Sequence, residues 1–338
     1  AVVDKIDTII TNALAVDISK LNKNLIITMI NQIKKSIDKN KEVILQANKI
    51  DQKNNNGFII EFDIIDRIFS NLEKENIFYG DVIVFQKDDE KRLIYGSEIM
   101  DKGVVVVIND GNPYVLLEMT IRNLMVGNRM IYTTNGYMYG TNRLIIEIIQ
   151  SVLEKNNFSP YLVQVIELEN YDQLLSNYAN INLVVTIGNR ILQNSILKIS
   201  RCKTISSGYE NFDLYIEDNT HMDFLNKIIE TNLNIQLYIN RNIELDYPEA
   251  MIVEDVDEAI AQINYNGSQY SSAIFTTSTD NASKFIKEVR SNLVTVNTSP
   301  TIERILDIKQ NDLATMKTII YPLTWESNKE TLSVSLND

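Results

Sequence analysis

The chain has 338 residues, 44% of them hydrophobic and 23% charged, with a formal net charge of -13; that is enough apolar material for a large core and, on the usual prior of ~150 residues each, roughly two domains. The acid is concentrated between Glu210 and Glu258, where only Lys227 and Arg241 offset it, and a surface of that sign repels phosphate backbones and anionic lipid, so nucleic acid and membrane are not expected partners. One cysteine, Cys202, and one histidine, His221, exclude an internal disulfide and a His-rich metal site.

Ala1 to Leu14 mixes polar and apolar residues without the basic and apolar blocks of a secretory signal. No apolar run reaches the ~18 residues of a membrane span, so a cytoplasmic protein is expected. Apolar residues recur at helical spacing from Ile18 to Ala47 and again from Phe58 to Leu72. Val82 to Phe85 and Arg92 to Tyr95 flank the charged turn Lys87 to Lys91 and predict a β-hairpin.

From Gly103 the texture changes. Gly103 to Ile108 is an unbroken Val/Ile run, the signature of a strand buried on both faces. A helix over Val115 to Val126 follows, stopping at Gly127 and Asn128. Next come a strand (Arg129 to Thr133), a helix (Thr141 to Lys155), a strand (Tyr161 to Glu167), a short helix (Tyr171 to Tyr178), a strand (Leu183 to Ile187) and a helix (Arg190 to Ile199). This alternation predicts a parallel sheet covered on both faces. A second set begins near Gly208, with strands at Phe212 to Ile216, Ile235 to Ile239, Ser272 to Thr277 and Leu293 to Asn297. Its helices are Met222 to Thr231, Asp255 to Asn264 and Ala282 to Arg290. The tail Thr331 to Leu336 alternates like a half-buried strand.

Several segments resemble the aldehyde dehydrogenase superfamily, most closely its glutamyl-phosphate reductase branch. They are KNKEVILQANKID (Lys39 to Asp51), GVVVVINDGNPYVLLEMTIRNLMVGN (Gly103 to Asn128), the block from Asp255 to Ser299, and DIKQNDLATMKTIIYP (Asp307 to Pro322). The resemblance implies an α/β fold of two domains: a Rossmann-like cofactor domain over 1–204 plus about 308–322, and a smaller catalytic-type α/β domain over 205–307. It also implies a β-flap for oligomerisation, the hairpin 82–95, and a tail at 323–338 that pairs across subunits. A homo-oligomer, most simply a dimer, is therefore expected, with a further protein partner as a second expectation.

The family's reaction needs a thiolate nucleophile, an oxyanion site and a nicotinamide. Here the helix where the nucleophile loop should follow runs into Thr231, Asn232, Leu233 and Asn234 and then directly into the next strand, with no Cys or Ser in the gap. Cys202 lies about thirty residues earlier, on an expected strand of the first domain, and reads as a packed residue. The family's oxyanion asparagine falls at Tyr114, with Asn112 two residues away; Asn112 and Pro113 also suit a plain strand-to-helix turn. No catalytic residue and no metal site is assigned. For the cofactor, the glycine-rich turns of the branch fall at Thr133, Thr134, Asn135 and Gly136 and at Gly188 and Arg190. A phosphate cradle wants several glycine N–H groups ahead of a helix, and a lone glycine there also serves as a turn. The residues alone imply no cofactor, and NAD(P) is the one the resemblance leaves open. Three functions follow: a shortened, catalytically inactive relative serving as a binding, regulatory or assembly partner; an NAD(P)-dependent oxidoreductase of an aldehyde or acyl phosphate with a displaced nucleophile; or a nucleotide- or metabolite-binding module that keeps only the cleft.

Overall fold

The computed structural model describes residues 2–55, 59–134, 139–230, 234–244 and 247–324. In chain order its elements begin with α1 (Val2–Leu14), α2 (Lys23–Lys39), α3 (Lys41–Asn55) and α4 (Phe62–Leu72). The single periodic helix expected from Ile18 to Ala47 is thus two. Asn40 ends the first, its backbone N–H donating to Ser36 O and Ile37 O and its side-chain amide to Ser36 O at 2.7 Å. A short amide side chain offers the last turn a local partner and so competes with helix continuation.

The hairpin β1 (Val82–Asp88) and β2 (Leu93–Asp101) comes next, longer than the sequence pattern suggests. Then follow β3 (Val104–Asn109), α5 (Pro113–Met125), β4 (Arg129–Thr134), α6 (Tyr139–Lys155), β5 (Val163–Glu167), α7 (Asp172–Leu175), β6 (Leu183–Ile187), α8 (Arg190–Ile199) and β7 (Thr204–Ser207). The remainder is β8 (Asn211–Ile216), α9 (Met222–Ile229), β9 (Asn234–Asn240), β10 (Met251–Val253), α10 (Val256–Asn266), β11 (Ser271–Phe275), α11 (Thr279–Glu288), β12 (Leu293–Val296), α12 (Gln310–Leu313) and β13 (Ala314–Pro322). The chain forms two compact units: 1–185, 200–204 and 308–338 in the first, 186–199 and 205–307 in the second.

In the first unit, β3, β4 and β5 run parallel within a sheet ordered β5-β4-β3-β6-β7. All six residues of β3 and all thirteen of α5 are buried. A helix closed in on every side must satisfy its polar groups internally. Thr120 donates to Leu116 O at 2.6 Å, Asn123 to Met119 O at 2.8 Å, and Arg122 to Glu118 at 3.0 Å. A separate antiparallel sheet, β1-β2-β13, takes its third strand from the returning chain, with Ala314 opposite Asp101 and Pro322 opposite Leu93.

Asp51 of α3 closes the start of α6. Its Oδ2 accepts Thr141 N–H at 2.7 Å and the Thr141 hydroxyl at 2.6 Å. Gly140 leaves the room, since a Cβ there would fall 2.9 Å from Asp51 Oδ1. Three residues earlier in the same helix, Asn48 accepts Ile60 N–H at 3.0 Å, so the α3 end fixes two chain segments at once.

The second unit holds an all-parallel sheet ordered β10-β9-β8-β11-β12. The sheet is covered on both faces. Tyr215, Tyr238 and Ile274 pack with Val256, Ala259, Ile260 and Ile263 of α10 and Phe285 of α11. Leu214, Ile216, Leu237 and Phe275 pack with Leu225 and Ile228 of α9 on the opposite face. No helix among the described residues is long and apolar enough to cross a membrane.

Asp51→Ala removes a carboxylate that caps a helix from outside it, so it should cost about 1–2 kcal/mol. Urea denaturation should show a lowered midpoint with an unchanged slope. A midpoint equal to that of the parent would mean that the cap contributes nothing.

Candidate functional site

In open α/β sheets ligands bind beyond the carboxyl ends of the strands, where the strand order reverses. The order reverses between β3 and β6 in one sheet and between β8 and β11 in the other. In the first unit the carboxyl end of β3 leads into Asn109, Asp110, Gly111 and Asn112. Asn109 Oδ1 accepts Gly111 N–H at 3.1 Å, Asn112 N–H at 2.8 Å and the Tyr132 hydroxyl at 2.9 Å. Asn142 donates to Gly111 O at 2.9 Å. Burial, then the nearby Asp110, pushes the Tyr132 phenol well above its usual range, and the same two causes lift Tyr171 to about 12. Both phenols stay neutral near pH 7.

Asn112 serves as the cap of α5, its Oδ1 accepting Tyr114 N–H at 2.9 Å, with Pro113 in the first helical turn. This is the strand-to-helix turn role. Tyr114, where the sequence resemblance puts the oxyanion asparagine, donates its hydroxyl to Ile59 O at 2.8 Å and accepts Glu61 N–H at 2.6 Å. Thr133 and Thr134 close β4 with no exposed surface; the Thr133 hydroxyl is buried without a partner among the described residues. Asn135 and Gly136 lie outside the described residues.

Gly188 and Arg190 belong to the second unit. The Gly188 N–H is already donated to Ser207 O at 3.0 Å, and its carbonyl accepts Gln193 at 2.9 Å. The side chain of Asn189 caps α8 through Leu192 N–H at 2.9 Å. Arg190 starts the helix, and its buried Nε has no hydrogen-bond partner among the described residues. At this turn the single glycine donates its N–H inward, to Ser207.

At the carboxyl ends of β8 and β11 a polar knot forms that the sequence did not single out. Glu217 accepts the Thr276 hydroxyl and the Asn281 amide. Asp218 accepts Thr277 N–H at 2.6 Å and Thr220 N–H at 3.0 Å. Burial raises the Asp218 pKa, but the hydrogen bonds of Thr220 and Thr277 together outweigh it and hold the group below its ordinary value. It is a fixed carboxylate rather than a base. His221 is the N-cap position of α9 and makes no side-chain cap bond. Its ring instead stands edge-on to Phe275, centroids 5.8 Å apart.

Cys202 does not lie on a strand. It sits in a bend before β7, where the Thr204 hydroxyl donates to Cys202 O at 3.0 Å and Cys202 N–H to the Ser200 hydroxyl at 3.2 Å. These local bonds turn the backbone before the ladder begins. Burial pushes the thiol up, against a smaller opposing effect from Ser200. A raised pKa leaves less thiolate near neutrality. Alkylation of Cys202 by iodoacetamide at pH 7.5 should therefore run slower than that of free cysteine. A rate above that of free cysteine would show an activated thiol.

The γ-glutamyl phosphate reductase of Dictyoglomus turgidum is 24% identical over 82% of this chain and 84% of its own length. The crystal structure of γ-glutamyl phosphate reductase from Thermotoga maritima matches with a TM-score of 0.59 at 17% identity, covering 94% of this chain and 97% of that one. A glyceraldehyde-3-phosphate dehydrogenase from Methanocaldococcus jannaschii, solved with NADP, matches with a TM-score of 0.70 at 15% identity, covering 95% of this chain and 94% of that one. No family model matches the chain.

Proposed function

We propose that this chain, aldehyde-dehydrogenase-like in fold and glutamyl-phosphate-reductase-like in sequence, uses that scaffold without thiol catalysis, as a binding, regulatory or assembly partner. The observation that carries the reading is its single cysteine. Cys202 is the one thiol in the sequence, and it sits in a first-unit bend with its pKa raised rather than lowered. Thiol addition to a carbonyl needs a thiolate at neutral pH. Residues 231–233, where the sequence lacks the nucleophile loop, lie outside the described residues.

The cofactor site supports the same reading. The described candidates are Thr133 and Thr134, both buried, Gly188, which spends its N–H on Ser207, and Arg190. They do not make the glycine-lined cradle that a pyrophosphate takes, and no chemical step is assigned to a dinucleotide. The alternative is an NAD(P)-dependent oxidoreductase of an aldehyde or acyl phosphate; it is favoured by the extent of the match to named reductases. The domain roles follow the sequence reading: 1–204 with about 308–322 as the cofactor-type part, 205–307 as the catalytic-type part, in a cytoplasmic protein.

Purified protein given NADP(H) and short aldehydes should show no turnover above the uncatalysed rate. Turnover that Cys202→Ser reduces more than ~100-fold would replace the inactive reading with the reductase.

Assembly as a homo-oligomer, most simply a dimer, belongs to this proposal. β13 covers one edge of the hairpin within the chain, so the β1-β2-β13 sheet keeps an outer edge on β1 and one on β13 among the described residues. Phe85, Met316 and Ile320 of this sheet are exposed. An open edge beside exposed apolar side chains is covered by another chain or guarded. The tail expected to pair as a strand, 331–336, lies outside the described residues. Sedimentation at tens of micromolar should give a dimer, and Ile320→Lys should shift it toward monomer; a monomeric parent protein would refute the assembly.

A further inference from the structure

Asp213 is the third residue of β8 and only 2% exposed. Its partners are few and weak. Oδ2 accepts Ser268 N–H at 3.2 Å, and the Tyr238 hydroxyl lies 3.5 Å from Oδ1, at the limit of a hydrogen bond. No lysine, arginine or histidine among the described residues pairs with it. A buried carboxylate without a cation is costly, and such a group keeps its proton instead.

Ser268 belongs to the turn from Gly267 to Tyr270 that joins α10 to β11. The turn lies hard against the start of β8. A Cβ on Gly267 would fall 2.7 Å from Asp213 Oδ2, and one on Gly208 would fall 2.3 Å from Ser268 O. The Ser268 hydroxyl donates to Asn211 O at 2.8 Å and accepts Tyr270 N–H at 3.2 Å. Ser268 thus grips β8 at two points, Asn211 and Asp213. With both glycines in contact, the closed turn leaves no gap through which water could hydrate the carboxyl.

We propose that Asp213 is a proton-held latch: protonated, it keeps the Gly267–Tyr270 turn seated on the start of β8, and ionised, it releases that turn to water.

The surroundings leave Asp213 as the group that titrates. Tyr238, from β9, is the titratable side chain that reaches it, and burial followed by Asp213 itself pushes that phenol far up, so it stays neutral. Gln236 and Ser272, opposite Asp213 in the register, are uncharged. α10 and α11 turn Val256, Ala259, Ile260, Ile263 and Phe285 to this face, while their Asp257 and Lys284 pair with each other. Burial, opposed by the Ser268 and Tyr238 hydrogen bonds, lifts the carboxyl from 3.8 to about 7. Between those values the closed turn holds a proton that a solvated, open one does not. Its advantage is therefore complete below about 3.8, falls about tenfold per pH unit as pH rises, and is constant above about 7. None of this depends on whether the scaffold is catalytic.

Amide hydrogen exchange on the full chain, corrected for intrinsic rates, tests the latch. Protection of amides in residues 267–272 should fall about 15-fold from pH 5.5 to 7 and level off by about pH 8, about 30-fold in all, with β3 amides unchanged. Asp213→Asn, a neutral near-isostere, should abolish the fall. Tyr238→Phe removes a hydrogen bond that favours the carboxylate, so it should carry the fall to higher pH. The proposal is overturned by constant protection of 267–272 in the parent, by the same fall in Asp213→Asn, or by a fall that β3 shares. If Asp213→Asn does not fold, an unshifted profile in Tyr238→Phe overturns it.

Discussion

The first unit is organised around a charge that cannot reach water. Arg122 sits on α5, a helix buried on every side, and is 4% exposed. An unpaired guanidinium there would cost more than the fold could offset, so its neighbours are constrained. Glu118 one turn earlier and Glu75 after α4 supply carboxylates, each within about 3.1 Å. Gln310 completes the set: its oxygen faces Arg122 at 3.4 Å and its amide donates to Arg122 O at 2.7 Å. Because Gln310 begins α12, the same cluster that neutralises Arg122 also docks the returning chain. Asn128 extends the hold by donating to Leu313 O and accepting Lys102 N–H. The next residue, Ala314, opens β13 against Asp101. The register of the flap sheet is thus set by the demand of one buried arginine.

How far the sequence displayed this depends on how each element is covered. β3 could be read because a strand buried on both faces must be apolar throughout, and VVVVI has no competing period. The helices of the second unit were equally visible through their one-sided stripes. β13 was not, since Thr315 to Thr318 are exposed on both faces and carry no alternation; its pairing comes from Gln310 and Asn128, which no local pattern announces. α2 and α3 merged into one helix because their apolar stripes are nearly in phase across Asn40, and the break rests on hydrogen bonds of a single residue.

The site was less legible than the fold. Asn112 declared its cap role through the Asn-Pro pair, a local signal. Asn109 and Asn142 work through contacts 23 and 31 residues away, with Tyr132 and Gly111, and Asp51 reaches Thr141 across 90. No spacing rule finds such partners. Cys202 was misplaced for a related reason: SRCKTISS has strand-like composition, but the hydroxyls of Ser200 and Thr204 divert the first four residues into a bend. Asp213 gave no warning at all, because an alternating strand with a polar third residue reads as half exposed until the turn over it is known.

The hairpin carries a further consequence in the irregularity of β1. Val84 faces Gly96 and Gln86 faces Tyr95, so Phe85 is an extra residue without a cross-strand partner. A bulge breaks the even spacing of N–H and C=O groups along the strand and increases its twist. An incoming strand laid along β1 would lose step at that point, with an exposed phenylalanine beside it. β13 pairs through nine residues without a break. The two rims of this small sheet are therefore unequal as templates: one is spoiled for extension by a single inserted residue, the other is regular from end to end.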